Sequence, residues 1–185
     1  MYLVTGLGNP GRSYDETRHN AGFMLVDRMA EEAGRIFAPA GRHSLTCCVQ
    51  RDQEEIVLAK PQTYMNLSGN SVRELLEKYP VTLPEVLIVF DDLALPFGTI
   101  RIRRSGGSSG NKGMESVIDA LGTDQIPRLR IGIGSDSPPE DCSDFVLKPF
   151  SRAELKTLDE ILDRSVLAVD SILSGGIDQA MSLFN

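Results

Sequence analysis

The sequence predicts a single α/β domain, a three-layer sandwich in which a mixed, twisted β-sheet is flanked by helices. Short apolar strand-like runs alternate with amphipathic helical segments. The length of 185 residues is that of one ordinary domain, and no repeat or linker interrupts it. Two consecutive strands joined by a short polar turn indicate a hairpin, so the sheet is not expected to be all parallel. We therefore assign residues 1–185 to one domain.

The first half of the chain has the pattern of three strands and two helices. Apolar runs bounded by glycine or polar residues predict strands, and apolar residues at helical spacing predict helices. The strands are expected at 2–7, 45–49 and 56–59, and the helices at 23–33 and 72–79. The polar turn 51–54 joins the last two strands into a hairpin, and Pro80 ends the second helix.

The second half begins with a continuous apolar run at 86–90, typical of a strand buried on both faces. We expect this strand to end at Asp91 and Asp92. Ser151 with Glu154 forms a capping box that opens a long helix. Its predicted apolar face consists of Leu155, Leu158, Leu162, Val166, Val169 and Leu173. Other expected elements are strands at 99–103 and 129–133, a helix at 114–121 and a short helix after Gly176.

Composition excludes several classes of function. The chain has 26 acidic and 19 basic residues, so bulk positive charge does not hold it on nucleic acid. No segment approaches the ~20 apolar residues of a membrane-spanning helix, and no signal-peptide core follows Met1. We therefore expect a cytoplasmic protein. Three cysteines and two histidines without ligand spacing predict neither a disulfide framework nor a metal site.

One segment, residues 95–135, is positive, with six basic and three acidic residues. Its basic residues surround a Gly/Ser-rich loop at 105–110, whose N–H groups and following helix N-terminus could receive a phosphate. These residues are Arg101, Arg103, Arg104, Lys112, Arg128 and Arg130. The alternative is an ordinary arginine-bearing strand surface. Aromatic residues are not interleaved with the arginines, so stacking of several bases is not predicted.

Residues 6–11 match the G-x-G-x-x-G spacing of dinucleotide-binding turns, directly after a strand. A dinucleotide site needs a helix that begins within the loop, whereas residues 10–18 are polar and the apolar stripe starts near Phe23. No strand ends in an acidic residue about twenty positions further on. A nicotinamide-dependent dehydrogenase therefore remains a distant alternative.

His19 and Asp91 are a candidate catalytic pair. A histidine needs a partner that fixes its tautomer, and a carboxylate at the mouth of a buried strand can hold one ring N–H while the other nitrogen faces water. The chain has no G-x-S-x-G nucleophile motif, so water is the expected nucleophile. The loop 60–69 places Tyr64, Met65 and Asn66 together, a set suited to binding an extended chain. The alternatives are a capping or hydrogen-bonded structural role for His19, a solvated turn at Asp91 and Asp92, and a helix cap with core packing for the loop.

Five motifs occur in a fixed order. They are Gly6-Leu7-Gly8-Asn9-Pro10-Gly11 with Tyr14, Thr17-Arg18-His19-Asn20-Ala21-Gly22-Phe23, Tyr64-Met65-Asn66-Leu67-Ser68-Gly69, Asp91-Asp92-Leu93 with Leu95-Pro96, and Arg128-Leu129-Arg130-Ile131-Gly132-Ile133-Gly134. Over roughly residues 2–150 this set closely resembles the bacterial peptidyl-tRNA hydrolase family. The resemblance implies a single α/β domain that is usually monomeric and needs no metal or cofactor. It also implies hydrolysis of the ester between a peptide and the 3′ ribose of tRNA.

The resemblance also implies roles for individual residues. His19 would be the general base that activates water, and Asp91 would hold it in the basic form. Asn9 would position the water or the ester carbonyl and help to reject substrates with a free amino group. The residues expected to bind the 3′ end, the peptide backbone or tRNA phosphates are Tyr14, Tyr64, Met65, Asn66, Lys112, Arg103 and Arg130.

The chain departs from the family pattern at Asn111 and Lys112, where many members have His-Asn. A lysine can offer a charge to a phosphate but cannot accept a hydrogen bond. The alternative from another class is a non-catalytic RNA-binding relative of the same fold. Intact Asn9, His19 and Asp91 favour the enzyme.

Overall fold

The computed structural model describes residues 1–51, 53–135, 137 and 139–185, and in these residues seven strands form one mixed sheet. The strands are β1 (Tyr2–Gly6), β2 (Ala38–Ala40), β3 (Ser44–Arg51), β4 (Glu54–Pro61), β5 (Val86–Pro96), β6 (Ile100–Arg103) and β7 (Arg128–Gly134). Their order is β2-β3-β4-β1-β5-β7-β6. Strands β4, β1, β5 and β7 are parallel, and the pairs β2–β3, β3–β4 and β6–β7 are antiparallel. The predicted α/β fold with a mixed sheet is confirmed.

Helices cover both faces of the sheet. They are α1 (Ala21–Glu32), α2 (Ser68–Lys78), α3 (Lys112–Leu121), α4 (Cys142–Val146), α5 (Arg152–Gly175) and α6 (Ile177–Phe184). One apolar core lies between the sheet and α1, α5 and α6, and a second lies between the sheet and α2 and α3. This gives three layers. Within the described residues no helix is long and apolar enough to cross a membrane.

Alternate residues of β5 contribute to the two cores. Leu87 and Val89 pack on the α1 side, and Ile88 and Phe90 pack on the α2 and α3 side. The expectation that this strand ends at the two carboxylates was wrong, because β5 continues to pair with β7 as far as Pro96, across an irregular register. Its neighbour β1 pairs with it only as far as Val89. The following carboxylates therefore project beyond β1.

The N-terminus of the long helix α5 follows the sequence prediction. The Ser151 hydroxyl accepts from the backbone N–H of Glu154 at 3.3 Å, and the Glu154 carboxylate accepts from the Ser151 N–H at 2.7 Å. The predicted apolar face is wrong at Leu155, which is 40% exposed. This residue lies in the first turn, and Leu158 is the first leucine of the face to be buried. The expected β3–β4 hairpin forms, although Asp52 in its turn lies outside the described residues.

Helix α1 approaches the sheet closely because Gly22 has no side chain. A Cβ at Gly22 would lie 2.4 Å from the carbonyl oxygen of Val89 and 2.5 Å from the backbone nitrogen of Leu7. Gly6 is equally restricted, since its Cβ would lie 2.1 Å from the Gly22 carbonyl oxygen. Both glycines therefore allow the segment before α1 to lie directly over the ends of β1 and β5.

The edge strand β6 is capped by a side chain. The Ile102 N–H donates to Oδ1 of Asn185 at 2.7 Å, and Nδ2 of Asn185 donates to the Ile102 carbonyl at 3.2 Å. The amide of Asn185 thus makes both of the hydrogen bonds that a further strand would make to Ile102.

Candidate active site

His19 and Asp91 meet at the C-terminal edge of the parallel strands. His19 lies in the 3-10 turn Arg18–Asn20 directly before α1. Its Nδ1 lies 2.8 Å from Oδ1 of Asp91, and the two side chains are 12% and 3% exposed. An ionised carboxylate only accepts hydrogen bonds, so this contact assigns the proton to Nδ1 and leaves Nε2 with a lone pair. A neutral imidazole held in this way can act as a base.

The Asp91 carboxylate has a second donor, which the sequence analysis did not anticipate. Nδ2 of Asn111 donates to Oδ1 of Asp91 at 2.8 Å and to its carbonyl oxygen at 3.2 Å. Oδ1 of Asn111 accepts from the N–H groups of Gly113 and Met114, as the N-cap of α3. The available sequence signal was an asparagine directly before a helical stripe, which predicts a cap but not a tertiary partner.

Asn9 is fixed by three hydrogen bonds. Its N–H donates to Oδ1 of Asn20 at 2.8 Å, and Nδ2 of Asn20 donates to its carbonyl at 3.0 Å. Oδ1 of Asn9 accepts from the N–H of Met65 at 2.8 Å. This last bond fixes the orientation of the Asn9 amide, so the groups left for a substrate are the N–H donors of Nδ2.

These residues line one cleft of about 530 Å³. Asn9, His19 and Asp91 lie in it together with the segments 64–66 and 109–112 and with side chains from α4 and Leu147. Within it Tyr64 is 59% exposed and Met65 is buried. The structure therefore brings together seven of the ten predicted site residues, namely Asn9, His19, Tyr64, Met65, Asn66, Asp91 and Lys112.

The other three predicted site residues lie outside this cleft. Tyr14 is in the loop before His19, where its N–H donates to Gly11 and its carbonyl accepts from the Thr17 hydroxyl. Arg103 lies on β6, half-buried, and donates to the carbonyl of Ile102 at 3.2 Å. The third residue, Arg130, lies on β7 and has a buried partner, described next.

Four arginines share one face of the antiparallel β6–β7 pair, because Arg101 pairs with Arg130 and Arg103 with Arg128. Nε of Arg130 donates to the fully buried Asp92 carboxylate. Arg128 is 1% exposed. Burial lowers the pKa of its guanidinium.

The interpretation of Arg128 as part of the phosphate-binding surface was wrong. Its guanidinium donates to four backbone carbonyl oxygens, namely those of Gly106, Gly107, Asp124 and Ile126. Those carbonyls use its donors, so Arg128 fixes the Gly/Ser loop from inside the protein. Arg104, also counted in the positive segment, forms an exposed ion pair with Asp178.

The α4 wall of the cleft is attached through Arg18, another residue whose role the sequence did not reveal. The guanidinium donates to both carboxylate oxygens of Glu154, at 2.9 and 2.8 Å, and to the carbonyls of Lys148 and Pro149. It also lies 4.5 Å from the centre of the Phe145 ring. Because Arg18 precedes His19, the same 3-10 turn carries His19 and holds the α4 wall of the cleft.

In the described part of the chain, no group of three or more His, Cys, Asp and Glu side chains is placed to hold a metal ion. The chemistry that the site presents is a histidine–carboxylate pair and amide donors in an open cleft. This arrangement suits the activation of water against a carbonyl group.

Comparison with known proteins identifies the family. The family model described as peptidyl-tRNA hydrolase matches residues 3–185. The peptidyl-tRNA hydrolases of Desulforudis audaxviator and Desulfitobacterium hafniense are 48% and 44% identical over all of this chain and over 93% and 100% of their own lengths. The crystal structure of peptidyl-tRNA hydrolase from Acinetobacter baumannii has a TM-score of 0.91 and 33% identity, covering 98% of this chain and 93% of that one. The chain therefore belongs to the peptidyl-tRNA hydrolase family.

Proposed function

We propose that this chain hydrolyses the ester bond between a peptide and the 3′ ribose of tRNA, with His19 as the general base. The observation that carries the proposal is the contact of 2.8 Å between His19 and Asp91, in a cleft that also contains Asn9. Membership of the family supports the reaction class. The roles of the individual residues are argued from their contacts.

The reaction needs one base and one water molecule. Nε2 of His19 takes a proton from water, and the hydroxide attacks the ester carbonyl carbon. The tetrahedral intermediate then collapses with cleavage of the bond to the 3′ oxygen, which takes the proton back from His19. The products are tRNA with a free 3′ hydroxyl and a peptide with a free carboxylic acid, which releases its proton to solvent and becomes a carboxylate. A positioned base contributes ~10²–10⁴-fold, and Asp91 keeps the imidazole in the required tautomer.

Asn9 has two roles in this proposal, and both follow from its orientation. Its Nδ2 donors stabilise the oxyanion that develops on the ester carbonyl. They also disfavour a free α-amino group, because an ammonium ion only donates hydrogen bonds and meets the NH₂ end of an amide whose oxygen is turned to the N–H of Met65. We expect the enzyme to prefer peptides or N-blocked amino acids for this reason.

The rest of the substrate would bind along the mouth of the cleft. Tyr64 and Asn66 offer a ring and an amide to the 3′ end and the peptide backbone, with Met65 beneath them. Lys112 and Arg103 offer charges to acceptor-stem phosphates. Arg130 adds the N–H groups that Asp92 does not use. Tyr14 lies outside the cleft and would act only on a part of the substrate that extends over its loop.

We expect a cytoplasmic monomer that needs neither metal ion nor cofactor. An ester already has an alcohol leaving group, so a base and oxyanion donors are sufficient for its hydrolysis. Recognition of backbone, phosphates and the terminal ribose makes the enzyme indifferent to peptide sequence and to tRNA identity.

The experiment that tests this proposal measures release of labelled amino acid from N-acetyl-aminoacyl-tRNA. Wild type should release it rapidly, His19→Ala should lose the activity, and unblocked aminoacyl-tRNA should react slowly. His43→Ala is the matched control, because His43 pairs with Glu74 outside the cleft. Folded wild type that binds tRNA without releasing the label would mean that the chain is a binding protein on an enzyme's fold.

A further inference from the structure

We propose that Asn111 is a positioning residue for the reaction, which holds the Asp91 carboxylate in place for His19 while it caps helix α3. This proposal rests on the proposed function and assigns Asn111 no contact with substrate. Many members of the family have histidine at this position, so the contact depends on the asparagine that this chain has there.

The two ends of the Asn111 amide are used for different purposes. The oxygen accepts from the N–H groups of Gly113 at 2.9 Å and Met114 at 3.0 Å, in the first turn of α3. The nitrogen donates to the side chain and the main chain of Asp91. Asn111 and Asp91 are both buried, so neither group exchanges this partner freely with water.

An asparagine meets both requirements, whereas the other good capping residues meet only one. Serine, threonine and aspartate also accept hydrogen bonds at the N-cap. Aspartate has no donor for Asp91, and serine is too short to bind both the helix and the carboxylate. The residue type is therefore explained by the pair of contacts and not by the cap alone.

The same oxygen of Asp91 accepts from His19 and from Asn111, at 2.8 Å in each case. The second donor fixes the rotation of the carboxylate, so the imidazole is held in one orientation. It also withdraws charge from that oxygen, which weakens the attraction of Asp91 for a protonated imidazole.

The contact also connects the base to the substrate-binding loop. Asn111 lies between Gly110 and Lys112, and all three line the cleft with His19. Because Asn111 contacts Asp91, which lies 20 residues earlier in the chain, the N-terminus of α3 is fixed relative to β5 at this carboxylate. The backbone of the neighbouring Lys112 is therefore held beside the cleft.

The test compares Asn111→Ser and Asn111→Asp with wild type, because both variants retain a capping acceptor. The assay is hydrolysis of N-acetyl-aminoacyl-tRNA between pH 5 and 9, with melting temperatures measured in parallel. We expect Asn111→Ser to lower kcat about tenfold with little change in KM. The lower midpoint of its pH–rate profile should rise by about half a unit or more. Asn111→Asp should show a larger rise, since it places a second negative charge beside Asp91.

Thr82→Ala is the control for a lost cap. Thr82 caps the 3-10 turn Leu83–Glu85, which precedes the first residue of β5, at the end of the strand away from the cleft. It should leave both kcat and the midpoint unchanged. An unchanged profile in Asn111→Ser, with wild-type kcat, would overturn the proposal and leave Asn111 as a helix cap only. A loss of kcat that merely follows the melting temperature, without a shift of the midpoint, would also overturn it. Inactive wild type would instead overturn the proposed function itself.

Discussion

Asp91 and Asp92 are neighbours on β5, yet their carboxylates lie on opposite faces of the sheet and bind different partners. Asp91 accepts from His19 on the side of the cleft and α1. Asp92 is fully buried and accepts from Arg130 on β7. Because successive side chains of a strand point to opposite faces of the sheet, these two adjacent residues have different partners. We propose that the first carboxylate assists His19 in the reaction and that the second orients an arginine that contacts phosphate.

The first prediction concerns Asp91→Asn. An amide can turn its NH₂ toward Nδ1 of His19 and then favours the wrong tautomer, so we expect kcat to fall by ~10²–10⁴-fold. KM for N-acetyl-aminoacyl-tRNA should change little. Steady-state kinetics checks this, with the melting temperature as the control for folding. A variant within threefold of wild-type kcat, about 0.7 kcal/mol in barrier height, would contradict the role of Asp91.

The second prediction is that Asp92→Asn has the opposite effect. It removes the anionic partner of Arg130, so the guanidinium loses its fixed orientation while His19 keeps its own carboxylate. We expect KM to rise by about tenfold and kcat to stay near wild type. The same kinetic assay separates the two variants. If Asp92→Asn lowered kcat and left KM unchanged, Arg130 would have no part in binding.

The third prediction concerns ionic strength. If Arg103 contacts a phosphate, the KM of wild type rises with salt, and Arg103→Gln reduces the slope of log KM against log salt by about 1. KM measured between 50 and 300 mM KCl would show this. Arg28→Gln is the control, because Arg28 on α1 pairs with Asp159 and Asp163 of α5. Equal slopes for wild type and Arg103→Gln would remove Arg103 from the binding surface.

The fourth prediction concerns the close contact at Gly22. The added Cβ of Gly22→Ala meets backbone atoms of β5 and of Leu7, which cannot move aside as a side chain can. We expect a loss of about 2–3 kcal/mol in the free energy of unfolding, together with lower kcat because His19 shifts with α1. Urea denaturation and the hydrolysis assay measure the two effects. Gly107→Ala is the control, since its Cβ would meet no atom within 4 Å.

The fifth prediction concerns the pH dependence of the stability that the ion pair between Arg18 and Glu154 provides. Burial alone would raise the pKa of Glu154, but hydrogen bonds from Ser151 and Arg18 outweigh it and place the pKa below its usual value of 4.5. A lowered pKa in the folded state stabilises the protein above pH 4.5, and this contribution is lost as the pH falls through the folded-state pKa. The stability difference between wild type and Glu154→Gln should therefore be largest above pH 5 and shrink below pH 4.5. Urea unfolding from pH 3 to 7 tests this.

Much of the fold could be predicted because its signals are local. The apolar run at 86–90 and the capping box of Ser151 and Glu154 carry their structure in a few adjacent residues. Strand β2 has only three residues, one of them proline, and too few positions to show alternation. Helix α4 has five residues, none of which is buried, so the sequence has no apolar stripe from which to predict it.

Site residues could be predicted where the type of side chain indicates its chemical role. They could not be predicted where the role depends on which residue the side chain contacts in the folded protein. His19 and Asp91 could be paired because a histidine needs a partner that fixes its tautomer and a carboxylate after a buried apolar run can be that partner, and the family resemblance implied the same pair. Arg128 was misinterpreted because a count of charges does not reveal which arginine is surrounded by carbonyl groups. The contact between Asn111 and Asp91 depends on how α3 is placed against β5, which no local pattern specifies.

The amide of Asn185 on the edge of β6 has a consequence for solubility. An exposed edge strand offers unpaired N–H and C=O groups on which a second molecule can add a strand, and this is a common route to aggregation. At Ile102 both groups are already occupied by Asn185. The side chain of Asn185 therefore leaves Ile102 with no unpaired backbone group to which a second molecule could add a strand.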